Sequence, residues 1–161
     1  MRGTQAAVKL ALTPAGAALD RLCVRHLGLS PVTWLFARSA GVPYNPPLLL
    51  VTIGRRTGLE RTAVLPYFAA GAGVAVVGSR GGMPSDPHWA RNLRAHPEAH
   101  VVLRRREHRV RARVARAEER EQLWKEITLR APVYVEYQDR ARPYRELPIF
   151  VLEREDGGAL G

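Results

Sequence analysis

The run Leu48-Leu49-Leu50-Val51-Thr52-Ile53, stopped by Gly54, constrains the fold of this chain more than any other stretch. A short, nearly unbroken apolar run bounded by glycine suits a strand covered on both faces. From there on strands dominate. Arg61 to Ala70 and Val74 to Gly78 read as two strands joined across Gly71-Ala72-Gly73, and His100 to Leu103 with Arg109 to Val114 as a further hairpin. In the last of these, Val110, Ala112 and Val114 alternate with Arg109, Arg111 and Arg113, the period of a half-buried strand with a basic outer face. Pro148 to Glu153 supplies the final strand. Helices are expected from Asp86-Pro87 through Arg94, closed by His96-Pro97, and from Glu118 to Thr128 with Leu123, Trp124 and Ile127 facing inward. A polar, tyrosine-rich loop should join that helix to the last strand. About six mainly antiparallel strands with flanking helices make an α+β domain.

The first 44 residues have a different rhythm. Ala18, Leu19, Leu22, Cys23 and Leu27 form an apolar stripe at helical spacing, with Asp20, Arg21 and Arg25 on the other side and Gly28 as the stop. Ser30-Pro31 reads as an N-cap followed by proline at the first helical position, and Gly41 ends the segment. This second helix carries Trp34, Leu35 and Phe36 and is apolar nearly all round, so it is expected either packed on the sheet or against a membrane. The layout expected is therefore a helical segment over 1–44, a sheet domain over 45–154 and a disordered tail over 155–161.

At 161 residues, 46% of them apolar, the chain suits one packed domain and excludes wholesale disorder. No run approaches the roughly 18 apolar residues of a membrane span. Met1 to Leu12 is too short in apolar content for a signal peptide, and Cys23 stands alone, which fits a reducing cytoplasm. The formal charge is +10, and of 25 basic residues only Lys9 and Lys125 are lysines. Such a surface attracts anions, and the planar arginine fork favours phosphate and carboxylate. A GC-rich coding sequence produces the same arginine excess, so charge alone does not choose a partner.

Three segments carry candidate chemistry. Gly54-Arg55-Arg56-Thr57-Gly58, with Arg61 close behind, follows a strand and offers exposed backbone N–H groups, guanidinium groups and a hydroxyl to a phosphate. Its spacing is neither that of a Walker loop nor that of a dinucleotide fingerprint, and a plain basic turn is the alternative. Ser79-Arg80-Gly81-Gly82 again follows a strand; paired glycines let a flat ring lie against the backbone, or simply make a flexible loop before a helix. Trp89 and Asn92 follow, Trp89 being as well suited to a core as to a cofactor wall. Tyr134, Tyr137 and Tyr144 either line a pocket or pack as amphipathic surface. Histidine makes no metal site: His96 and His100 have ligand spacing, but Pro97 prevents a shared helical turn. Arg104 to Arg106 with the Arg109, Arg111, Arg113 face is the feature of a nucleic-acid-binding module, but exposed aromatics on the same strand are missing.

The ordered set Leu48 to Gly58, Arg61-Thr62, Leu65-Pro66, Val77 to Gly82, Pro87-His88-Trp89, Asn92-Leu93 and His96-Pro97 resembles the deazaflavin (F420)-dependent nitroreductase and quinone reductase family. The likeness continues through Glu118-Glu119-Arg120, Leu123-Trp124, Pro132, Tyr134, Tyr137-Gln138 and Leu147-Pro148-Ile149, and spans about residues 45 to 153. The resemblance implies a split β-barrel like that of FMN-binding relatives, and a reductase that passes hydride from reduced F420 to a quinone, nitro or other unsaturated acceptor. An FMN-dependent enzyme or flavin-binding protein of the same fold is the alternative. By the same resemblance Arg55, Arg56, Thr57, Gly58 and Arg61 grip the coenzyme's phosphate and polyglutamate tail. Val64, Leu65 and Pro66 with Ser79, Arg80, Gly81 and Gly82 hold the deazaflavin ring, and Trp89 and Asn92 close the site. Arg80 and Arg56 stand where relatives usually have lysine, and Ala131 where another aromatic is usual. Tyr137, beside Gln138 and near Arg140, is the expected proton donor, with Tyr134 next to it. A monomer or homodimer, with peripheral membrane contact through the first helices and no nucleic-acid partner, completes the expectation.

Overall fold

The computed structural model describes residues 13–40 and 43–160. The expectations for Met1 to Leu12, for the stop at Gly41 and for Gly161 lie outside them. The elements in chain order are α1 (Pro14–Leu27), α2 (Pro31–Ala40), β1 (Leu48–Ile53), β2 (Glu60–Leu65), β3 (Phe68–Ala70), β4 (Gly73–Val77), α3 (His88–Ala95), β5 (Glu98–Leu103), β6 (Arg106–Val114), α4 (Ala117–Arg130), α5 (Val133–Ala141) and β7 (Ile149–Arg154). The strands are hydrogen-bonded in the order β2-β1-β5-β6-β7-β4-β3. The α+β, antiparallel expectation holds, with seven strands rather than about six. Pro66 has no N–H to give a ladder, so the stretch expected as one strand over Arg61 to Ala70 breaks into β2 and β3.

The chain folds as two compact units. The first comprises Met1–Val51, Thr62–Pro66 and His100–His108. Here α1 starts where Thr13 accepts a hydrogen bond from Gly16 N–H (3.1 Å), and ends where Gly28, at φ +69°, donates to Val24 C=O. The side of α1 expected outward is partly the buried one. Asp20 is buried and accepts from Ser30 Oγ (2.9 and 3.0 Å) and Val32 N–H (3.1 Å), while Ser30 Oγ accepts from Thr33 N–H. One N–H and one hydroxyl at the start of α2 thus draw a carboxylate inward. Val24 packs with Leu49, Val102 and Val64, and Leu19, Leu22 and Leu27 of the expected apolar stripe are left more than half exposed. Strand β1 is buried along Leu48 to Val51 and pairs with β5 in the register Leu50↔Val101.

The second unit comprises Thr52–Arg61, Tyr67–Ala99 and Arg109–Gly161. Strand β7 is its spine: Phe150 faces Val76 of β4 on one side and Val114 of β6 on the other. Its core gathers Val77, Ile149, Val151, Leu147, Leu123 and Ile127 with Tyr134. The tyrosine-rich segment is helix α5, not a loop. Tyr134, Tyr137 and Ala141 recur at helical spacing toward this core, while Glu136, Asp139 and Arg140 point to solvent. The tail expected to be disordered is held over 155–160: Leu160 is buried, and its N–H donates to Ala72 C=O (2.8 Å). A buried apolar side chain near the end and one hydrogen bond to a turn carbonyl hold it.

Candidate functional site

The candidate site lies in the second unit, where two loops approach helix α3. The first is the Gly54–Gly58 turn. Gly54 N–H donates to Leu59 C=O (2.8 Å), and Thr57 and Gly58 N–H groups both donate to Gly54 C=O (3.1 and 2.8 Å). A side chain at Gly54 would sit 2.7 Å from Thr57 Oγ1 and 3.1 Å from Leu59 C=O, so the closure is tight around this glycine. Asn92 docks the turn on α3. Its Oδ1 accepts from Arg55 N–H (3.2 Å) and Arg55 Nη1 (3.5 Å), and its Nδ2 donates to Thr52 Oγ1 (3.1 Å), which donates to Arg61 C=O (3.3 Å). Asn92 is buried and its amide is committed to these partners, so it shapes the turn. The side chains of Arg56, Thr57 and Arg61 remain exposed.

The second loop is a left-handed turn. Arg80, Gly81 and Gly82 have φ of +47°, +63° and +80°, and Gly82 lies against α5, its would-be Cβ 2.6 Å from Tyr137 C=O. An arginine in this region of backbone space costs about 1–2 kcal/mol and persists only where its surroundings enforce it. The flanks of the turn are bonded by Arg145, a residue the sequence reading passed over. Its guanidinium donates to Met83 C=O (3.0 Å), Gly78 C=O (2.9 Å), Ser79 C=O (2.8 Å) and Asp86 Oδ1 (2.8 Å). No spacing rule singles it out from Arg140 and Arg142, because three of its four partners are main-chain carbonyls and the fourth, Asp86, is 59 residues away.

The two loops share one electrostatic field. His88, exposed at the start of α3, has its pKa lowered by the Arg91 guanidinium first, then by partial desolvation and by Arg55, Arg80 and Arg56. Four arginines from three segments therefore raise the potential around one imidazole. Arg91 Nε is, in addition, buried with no hydrogen-bond partner. An anion fits this donor set.

Trp89 is buried edge-on against Phe150 (5.5 Å), and Tyr134 is buried edge-on between Phe68 and Tyr137 (both 5.9 Å). Burial first, with the nearby Tyr137 second, pushes the Tyr134 phenol up to about 12. Tyr137 is half-buried, with the Arg140 guanidinium 5.7 Å from its ring centre. Gln138, expected to support a Tyr137 phenolate, is spent elsewhere: Nε2 donates to Arg145 C=O (3.2 Å) and Oε1 accepts from Leu147 N–H (2.9 Å). Tyr144 is exposed. Val64, Leu65 and Pro66 belong to the first unit, where Val64 lines a cavity of about 190 Å³ with Ala17, Asp20, Arg21 and Val32.

A family model described as F420H(2)-dependent quinone reductase matches residues 36–154. An F420H(2)-dependent quinone reductase of Mycobacterium tuberculosis is 33% identical over 117 residues, covering 70% of this chain and 77% of the relative. Among solved structures, one described as an F420-H2 dependent reductase (FDR-A) is 33% identical with a TM-score of 0.61, covering 68% of this chain and 95% of that one. Another, described as a domain-swapped dimer, is 30% identical with a TM-score of 0.61, covering 77% of this chain and 100% of its own.

Proposed function

This chain belongs to the F420H(2)-dependent quinone reductase family, has the split-barrel fold of its structural relatives, and from that premise we propose that it passes a hydride from reduced F420 to a quinone. The observation that carries the reading is the convergence of Arg55, Arg56, Arg80 and Arg91 on His88, beside a turn whose shape is set by Asn92. F420, when bound, supplies a two-electron hydride donor. Arg55, Arg56, Thr57, Gly58 and Arg61 hold its phosphate and glutamates, and the Ser79 to Gly82 turn supports the ring. Trp89 backs the turn from the core. Tyr137 faces the acceptor and gives it a proton from Oη, while Arg140 over its ring steadies the charge left behind; Tyr134, buried, holds Tyr137 in place. Purified protein should quench or shift F420 fluorescence at micromolar concentration and bind FMN much more weakly. Tight FMN binding with no F420 response would refute this, and nitro compounds tested beside quinones decide the acceptor class.

The reading includes a membrane contact from the cytoplasmic side, where quinones dissolve. Leu19, Leu22, Leu27, Leu29 and Trp34 are all about half exposed or more, and no helix among the described residues is long and apolar enough to cross a bilayer. The would-be Cβ of Gly28 lies 3.2 Å from Arg105 Cγ, in the exposed Arg104-Arg105-Arg106 turn. Basic side chains beside exposed leucines suit an anionic headgroup layer. Co-sedimentation with anionic vesicles, and its loss with neutral ones, tests it. The basic face of β6 is less suited to nucleic acid, because Arg111 pairs with Glu98 and Arg113 with Glu119 and Glu153.

A further inference from the structure

Arg145 stands in the chain after α5, yet every donor of its guanidinium that has a partner points back to residues 78–86. The side chain is 11% exposed and that of Asp86, its counter-charge, 17%. Asp86 Oδ2 also meets Arg94 Nη2 (3.0 Å), and the Arg94 guanidinium lies 5.6 Å from the Phe150 ring centre. Arg145 is itself fixed: its N–H donates to Ala141 C=O (2.9 Å), and its C=O accepts from Gln138 Nε2. A single planar group thus joins the end of the tyrosine-bearing helix to both flanks of the left-handed Arg80–Gly82 turn.

The geometry matters because the turn does not hold itself. Its internal bonds are Gly82 N–H to Ser79 C=O (2.9 Å) and Met83 N–H to Arg80 C=O (3.2 Å), against three consecutive residues of positive φ. The carbonyls on either side, Gly78, Ser79 and Met83, all face the guanidinium. With those oxygens drawn to Arg145, Gly81 stays open for a ligand; nothing lies within 4 Å of its would-be Cβ. A lysine cannot reproduce this, because one ammonium presents its donors from a single point and cannot bridge four acceptors spread along both edges of a fork.

We propose that Arg145 is a positioning residue for F420: it sets the Ser79–Met83 turn in the shape that receives the deazaflavin ring and locks that turn to the helix carrying Tyr137. The inference rests on the F420 reading above. It separates ring binding, which depends on Arg145, from tail binding, which depends on Arg55, Arg56 and Arg61.

The test uses the full chain, with intact F420 and its deazaflavin fragment lacking phosphate and glutamates as probes, each titrated by fluorescence well below the melting midpoint. Arg145→Lys should lose at least tenfold in affinity for both probes. Arg56→Ala should lose affinity for intact F420 and keep it for the fragment. Asp86→Asn leaves the fork in place without its counter-charge, should fold more readily, and should give a smaller loss of the same kind. Ile127→Val, a core change away from the turn, controls for lost stability and should bind both probes as the wild type does. If Arg145→Lys and Asp86→Asn bind the fragment like wild type, or if Ile127→Val loses as much, Arg145 is only a structural staple and the proposal falls. A wild-type chain that answers to neither probe would refute the F420 reading itself.

Discussion

Gly81 and Gly82 are neighbours with similar backbone and opposite surroundings, and replacing each with alanine measures what the turn's contact with α5 is worth. At φ of +63° and +80°, either alanine carries left-handed strain, about 1–2 kcal/mol. Removing a glycine stiffens the unfolded chain and returns about 0.4–1 kcal/mol. Gly81→Ala meets nothing within 4 Å, so its net cost should be about 1 kcal/mol by the difference of those two effects. Gly82→Ala places a methyl 2.6 Å from Tyr137 C=O and 2.8 Å from Arg140 Cβ, so backbone has to move. Overpacking of that kind adds about 1–3 kcal/mol. Gly82→Ala should therefore be the less stable of the two by that added amount, which in a domain of this size lowers the melting midpoint by roughly a further 2–12 °C. Urea and thermal unfolding followed by circular dichroism read the difference, and F420 titration should show the larger loss for the same variant. If the two variants agree within about 0.5 kcal/mol, close to the scatter of ordinary surface substitutions, the turn and α5 are not in the contact described.

Tyr137→Phe keeps the ring and its edge-on contact with Tyr134 but removes the hydroxyl; turnover should fall at least about tenfold, within the range of general acid catalysis, with F420 affinity unchanged. Normal turnover on every quinone tested would leave Tyr137 as a wall of the pocket. His88 is held below 6.5 by Arg91 and its neighbours, so between the folded and unfolded values the unfolded chain binds more protons. Stability is then complete above pH 6.5 and declines as pH falls through 6.5 toward the folded value. Melting midpoints across that window should show the decline in wild type and not in His88→Gln. An anion bound there favours the imidazolium, so F420 affinity should rise as the pH drops, again only with His88 present; an identical slope in His88→Gln would assign the linkage to another group.

Much of the molecule was legible from local signals, because they act over a few residues. Gly28 at the end bounds α1, Leu48 to Ile53 forms β1, and the backbone bonds that close Gly54 to Gly58 lie within a few residues, although Asn92 is what docks the turn on α3. The ordered motifs from Leu48 to Pro148 likewise carried the family, since they are read in sequence and not in space. What only the tertiary structure decided are matters of long-range pairing. Asp20 turned inward because the start of α2, ten residues on, offers it two donors, and a helical wheel of α1 alone contains no trace of that. The tyrosine segment became a helix because the core beside β7 had room for Tyr134 and Ala141. Arg145 was indistinguishable from its solvent-facing neighbours until the fold brought the carbonyls of residues 78, 79 and 83 to it. Every residue has such a carbonyl, so a side chain that recognises backbone leaves no mark in the sequence of its partner.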